Sequence, residues 1–152
     1  MNTISILRNI GAYVRNVFGS AFVAQTAGAT SAVTGSTVDR LDPANGGLAG
    51  SVLFSLLWST TLAASKTFSI NTVLIQHSPD ASTWSTLSTP TAPGLLATGS
   101  GTVTGVTNFL QDLTDAYRYV RLNWTPTLSN TSTDTLTALT DATLSPSDHL
   151  PS

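Results

Sequence analysis

Two stretches of this chain alternate between faces with a period of two, and nothing else in it constrains the fold as tightly. In residues 66–77, Phe68, Ile70, Thr72, Leu74 and Gln76 fall on one side, and Ser69, Asn71, Val73, Ile75 and His77 on the other. Ser78-Pro79-Asp80-Ala81-Ser82 then turns the chain, and Pro79 fits the second turn position because its ring pre-sets φ. Thr83 to Leu87 returns, with Trp84 just past the turn. In residues 116–126, Tyr117, Tyr119, Arg121 and Asn123 alternate with Arg118, Val120, Leu122 and Trp124, and Pro126 closes the segment. A period of two is the strand period. A strand–turn–strand unit with a further alternating strand predicts antiparallel sheet.

The rest of the chain supplies more short strands. Residues 48–60 hold Val52, Leu53, Phe54, Leu56, Leu57 and Trp58, a near-continuous apolar run that predicts a strand buried on both faces. Thr37 to Leu41 alternates briefly, residues 99–110 predict a Gly-rich, loose strand, and Thr135 to Leu144 a last one. Asp42-Pro43-Ala44-Asn45-Gly46-Gly47, Pro90 to Gly94, and Asp112 to Asp115 are turn signals. Seven or eight short strands with turns between them predict an all-β, antiparallel β-sandwich, jelly-roll-like in type. We place the sandwich domain at residues 35–145, a polar tail at 146–152, and an N-terminal arm and linker at 1–34.

The arm has two readings. Leu7, Ile10, Val14, Val17, Phe18 and Ala21 fall on one side of a helix, which predicts a short helix over 4–22. Ile4, Ile6, Val14 and Val17 are β-branched, which suits an extended arm reaching a neighbour. Both readings leave Leu7, Ile10, Val14 and Phe18 as candidate partner contacts. Arg15 and Asn16 interrupt the apolar run that a signal peptide needs, and no window reaches the ~20 nearly uncharged residues of a membrane span.

Charge is scarce. Only 9% of residues are charged, there is no Glu, and Thr and Ser supply 26 and 19 residues. Thr is a β-branched strand former. A surface built of it lacks the like-charge repulsion that keeps free monomers apart, so this composition suits a chain packed in an assembly or exported. A net charge of −2 gives no electrostatic case for nucleic acid or an anionic membrane. With no cysteine there can be neither a disulfide framework nor a thiolate metal site.

Groups able to do chemistry are correspondingly few. His77 sits at a strand end and His149 in the tail. A triad could be drawn from His77, a serine and Asp80, but no Gly-x-Ser-x-Gly elbow exists to present a nucleophile. Asp112 with Asp115, and Asp39 with Asp42, lie in turns, where aspartates ordinarily cap backbone N–H groups. Asp39, Asp42 and Asn45 could offer oxygens to calcium, but without EF-hand spacing. We therefore expect no catalytic residues, no cofactor and no metal. Trp58, Trp84 and Trp124 read as core or framework before they read as a sugar platform. Arg118 and Arg121 point to opposite faces and form no patch; one of them is expected to pair with an aspartate at a strand edge.

The segment Gln76-His77-Ser78-Pro79-Asp80-Ala81-Ser82-Thr83-Trp84-Ser85-Thr86-Leu87, followed by Tyr117-Arg118-Tyr119-Val120-Arg121-Leu122, resembles discoidin-like jelly rolls, in which a Ser-x-Asp-Gly-Ser-Thr-Trp turn and an Arg-Tyr-Val-Arg-Leu strand recur. Ala81 stands where those often have Gly. With Gly35-Ser36-Thr37-Val38-Asp39-Arg40 upstream, the order of motifs over residues 35–124 also resembles small virion proteins of tailed bacteriophages. That resemblance implies a virion structural protein, such as a capsid decoration or cement protein. Its implied partners are the major capsid protein or other virion proteins, it would be homo-oligomeric or lattice-bound, and its location would be the virion. The alternatives are a carbohydrate-binding jelly-roll module on a virion or secreted protein, or a tail-tube or connector subunit.

Overall fold

The computed structural model describes residues 14–43, 48–129 and 133–146. Eleven strands follow in order: β1 Arg15–Phe18, β2 Val23–Thr26, β3 Val33–Thr34, β4 Val38–Asp39, β5 Ala49–Leu62, β6 Thr67–Ser78, β7 Ser85–Ser88, β8 Gly94–Thr98, β9 Gly101–Asp112, β10 Tyr119–Leu128 and β11 Thr135–Pro146. They form two antiparallel sheets. Sheet A has the order β1-β11-β5-β9, with β2 also on β11; sheet B has β3-β10-β6-β7, with β4 on β10 and β8 on β6.

The pairing is nested. β1 and β2 lie on β11, β3 and β4 on β10, β5 on β9, and β6 on β7 and β8. Apart from the breaks inside split strands and the β6–β7 hairpin, every connection passes to the other sheet. Eight strand positions wound this way make a jelly roll.

The core follows from strand parity. Val52, Phe54, Leu56 and Trp58 of β5 and Leu136, Ala138, Ala142 and Leu144 of β11 face Phe68, Ile70, Val73 and Ile75 of β6 and Val120, Leu122 and Trp124 of β10, all buried. The indole of Trp58 meets the Phe68 ring edge-on, with centroids 5.3 Å apart.

Four sequence expectations change. Among the described residues the chain forms no α-helix, and of the stretch predicted as helical over 4–22, Arg15–Phe18 is strand while 4–13 lie outside the described residues. Its misleading spacing has a local cause: the Gly19 and Ser20 N–H groups both donate to the Thr140 carbonyl, at 2.8 and 2.9 Å. The chain gains two residues on β11 there, and Gly19 and Ser20 are both buried while Ala21 and Phe22 are both exposed, so the alternation is interrupted over 19–22 and resumes in phase at Val23. Second, residues 15–34 are part of the sandwich rather than an arm, because Val17 and Val23 pack on the core and Val33 lies within it. Third, β10 runs through Pro126 to Leu128. The register shifts between Thr125 and Pro126, opposite Asn71, and a bulge tolerates the missing N–H. That bulge moves the inward set on β6 from Phe68 and Ile70 to Val73 and Ile75. Fourth, β5 is buried on one face alone.

Candidate interaction surface

The quoted motifs turn out to be framework. Gly35 donates its N–H to the Leu122 carbonyl at 2.9 Å, and the Ser36 N–H reaches the Gly19 carbonyl at 2.7 Å. A Cβ on Gly35 would press into the Leu122 carbonyl and lie 2.8 Å from the Gly19 oxygen, so only Gly lets three backbone segments meet. Val38 is core. Asp39 takes a forked pair of bonds from Arg118, 3.1 Å from Nε and 2.7 Å from Nη2, which holds its carboxyl below the usual range. This is the strand-edge pair the sequence led us to expect. Buried Arg40 donates through Nη1 to the Leu113 and Ala116 carbonyls and staples the β9–β10 turn.

The Trp-marked hairpin is framework of the same kind. Asp80 accepts the Ser82 and Thr83 N–H groups at 2.9 and 2.8 Å and the Ser78 hydroxyl at 2.9 Å. Those donors hold its carboxyl far below the ordinary range. Ala81 has φ near +60°, the conformation for which Gly is the usual choice. His77 is likewise occupied: its Nδ1 accepts the Tyr117 N–H at 3.2 Å, with the two ring centroids 4.5 Å apart and the planes tilted by 34°. No group of three His, Cys, Asp or Glu among the described residues could hold a metal ion.

What the structure adds is a contrast between the two outer faces. Sheet B shows a polar one. The Gln76 Oε1 accepts from Arg121 Nε at 2.9 Å and from Asn123 Nδ2 at 2.7 Å, and the Arg121 guanidinium lies 4.0 Å over the Trp84 ring. Of the three tryptophans, Trp58 and Trp124 are in the core and Trp84 is on this face.

The outer face of sheet A carries an apolar row among Ser and Thr. Leu139, Leu57 and Val106 are direct cross-strand partners and form one row across β11, β5 and β9. Phe22, between β1 and β2, joins that row at the sheet edge, and the four side chains border a shallow groove of about 400 Å³ with Ser59, Thr104 and Thr137. One row away, Phe18 projects opposite Asp141; two rows away, Leu53 pairs with Leu110. Phe18 is 75% exposed, Leu110 73%, Phe22 69%, Val106 58% and Leu57 41%. Isolated surface leucines are ordinary, but Phe22, Leu139, Leu57 and Val106 adjoin one another, with the polar row of Asp141, Ser55 and Asn108 between them and Leu53 and Leu110.

The patch runs out to an undefended edge. β9 borders sheet A with twelve residues, of which the terminal Asp112 is the one charged residue and none is Lys, Arg or Pro. Charges and prolines are the usual devices that keep an edge strand from pairing with another chain.

Of the four contact residues expected from sequence, Leu7 and Ile10 lie outside the described residues. Val14 and Phe18 are exposed, Phe18 on this face. Leu57, Val106, Leu110 and Phe22 were missed. The signal was present in the unbroken apolar run of β5, which was read as burial within the chain.

No protein-family model matches the chain, and no curated protein matches its sequence. Solved structures do match. A crystal structure of the infectious bursal disease virus VP2 subviral particle aligns over 91% of this chain and 34% of that one, with a TM-score of 0.51 and 11% identity. A structure of the Gx strain of the same virus aligns over 90% of this chain and 33% of that one, with a TM-score of 0.50 and 9% identity. The chain thus spans about a third of the length of these structures, and at such identity the likeness is one of fold.

Proposed function

We propose that this chain is a non-enzymatic virion structural protein, a bacteriophage capsid decoration or cement protein that sits on the head lattice and stabilises contacts between capsomers. The observation that carries this reading is the row of exposed apolar side chains on the outer face of sheet A, on a chain with 9% charged residues. Such a surface is at home when it is covered in an assembly. The jelly-roll likeness to structures of virus particles supports the same reading.

Quantitative mass spectrometry of purified particles tests it. A fixed stoichiometric copy number, with release of the chain lowering the particle's melting temperature, is the expected result. Absence from washed particles would refute it.

A second reading, a carbohydrate-binding module, is favoured by the outer face of sheet B, where Trp84, Arg121, Gln76 and Asn123 put an aromatic ring beside planar polar groups. Glycan-array binding that disappears in Trp84→Ala while the fold is kept would decide for it.

A further inference from the structure

We infer that the outer face of sheet A is covered by a second copy of this chain. The inference deepens the reading above and rests on it only in using the same face.

The first argument is area. Four strand positions about 4.8 Å apart and twelve residues rising about 3.3 Å each give a face of roughly 19 by 40 Å, or about 760 Å². A stable protein–protein interface takes about 800 Å² from each partner. The face is therefore the size of one whole interface rather than a fragment of one.

The second argument is self-complementarity. An interface around a two-fold axis requires one surface to fit itself. This face carries a knob and a hollow of the same chemistry. The Phe18 ring projects one strand row from the groove bordered by Phe22, Leu57, Val106 and Leu139. Turned about an axis between the two, each copy's Phe18 enters the other's groove.

The third argument is charge. The outward positions of β5, β9 and β11 are mostly Leu, Val, Ser and Thr, with Asp141 and, at the end of β9, Asp112 the carboxylates among those described. Charge on the face is thus sparse, and a copy of itself meets it with little repulsion across the apolar row. Sheet B carries Arg121 and its polar neighbours and an exposed Leu95 on β8, but no cross-strand apolar row like that of Leu139, Leu57 and Val106.

The experiment is the oligomeric state of the purified full chain by light scattering over 1–100 µM, for the unaltered protein and for Phe18→Asp, Phe22→Asp and Thr72→Asp. Thr72 lies on the opposite sheet and serves as control. The expected result is a discrete oligomer that Phe18→Asp and Phe22→Asp each weaken by at least about thirtyfold, while Thr72→Asp leaves it intact. Both phenylalanine variants should keep the β-sheet circular dichroism and a cooperative melt. A monomer at 100 µM, or an oligomer indifferent to both substitutions, would overturn the inference. Particle association is scored separately. A chain that is monomeric in solution yet stoichiometric on particles sinks this inference and leaves the proposed function standing; a self-associating chain missing from particles does the reverse.

Discussion

Replacing Arg40 with Met should destabilise the sandwich by about 1.5–3 kcal/mol, because of what the side chain holds. The Arg40 backbone is paired on both sides, its N–H to the Arg118 carbonyl at 3.0 Å and its carbonyl to the Ala49 N–H at 2.9 Å, so the segment stays in place without the guanidinium. Nη1 donates to the carbonyls of Leu113 and Ala116. Two hydrogen bonds from a charged donor are worth about 1.5–3 kcal/mol each. Against that stands burial, which pushes the guanidinium pKa down, and an Nε with no hydrogen-bond partner in the described structure. Replacing a buried charge by an apolar side chain can recover much of such a penalty, and the net loss is therefore about half the gross value. Urea unfolding followed by the fluorescence of buried Trp58 and Trp124 measures it. Arg40→Lys, which keeps the charge without the fork, should fall between the two. A loss below about 0.5 kcal/mol in Arg40→Met would show that water serves the two carbonyls, against this account. Full stability combined with lost particle binding would make the Val-Asp-Arg motif a contact rather than a framework.

Two other perturbations test the framework. Gly105→Ala should cost about 1–3 kcal/mol, because its Cβ would come within 2.8 Å of Trp58 Cε2 and displace an indole wedged against Phe68; a shift in tryptophan emission and a lower urea midpoint report it. Acid should act through Asp80 and Asp39, whose folded pKa values lie below the unfolded value of 3.8. Groups depressed in this way add stability above the unfolded pKa and lose it as pH falls through the folded one. The melting temperature should therefore hold from neutrality to about pH 5 and fall below about pH 4. Asp80→Asn should start lower at neutral pH and show a shallower acid fall. A fall already under way between pH 7 and 6 would contradict the assignment.

The sandwich was legible in the sequence because its evidence is local. The alternation in β10 puts Val120, Leu122 and Trp124 in the core as read, and Asp80 and Asp112 close turns through their own side chains. The errors came where distant segments decide. The Gly19–Ser20 irregularity exists because both N–H groups find Thr140, 120 residues on, and no local pattern announces it. Pro126 is a strand breaker in isolation and a bulge residue beside Asn71. The candidate site was half legible. Phe18 stands exposed on a strand rather than on a helix or arm, whereas Val106 and Leu110 lie in a Gly-rich segment whose parity becomes clear only in register with β5.

That register also explains why β5 is apolar on both sides. Val52, Phe54, Leu56 and Trp58 satisfy the core, which needs nothing from Leu53 and Leu57. The intervening Ser51, Ser55 and Ser59 show that small polar residues fit this outer face, so the packing of one copy does not force leucine there. In a chain that stayed alone, apolar side chains at Leu57 and Val106, beside an edge strand without lysine or proline, would promote aggregation at no gain to the fold. In a chain whose sheet A is covered, the same residues become the centre of an interface and the neutral Thr and Ser around them its rim. The apolar run of β5 is thus core on the face toward sheet B and, on the inference drawn above, contact surface on the other.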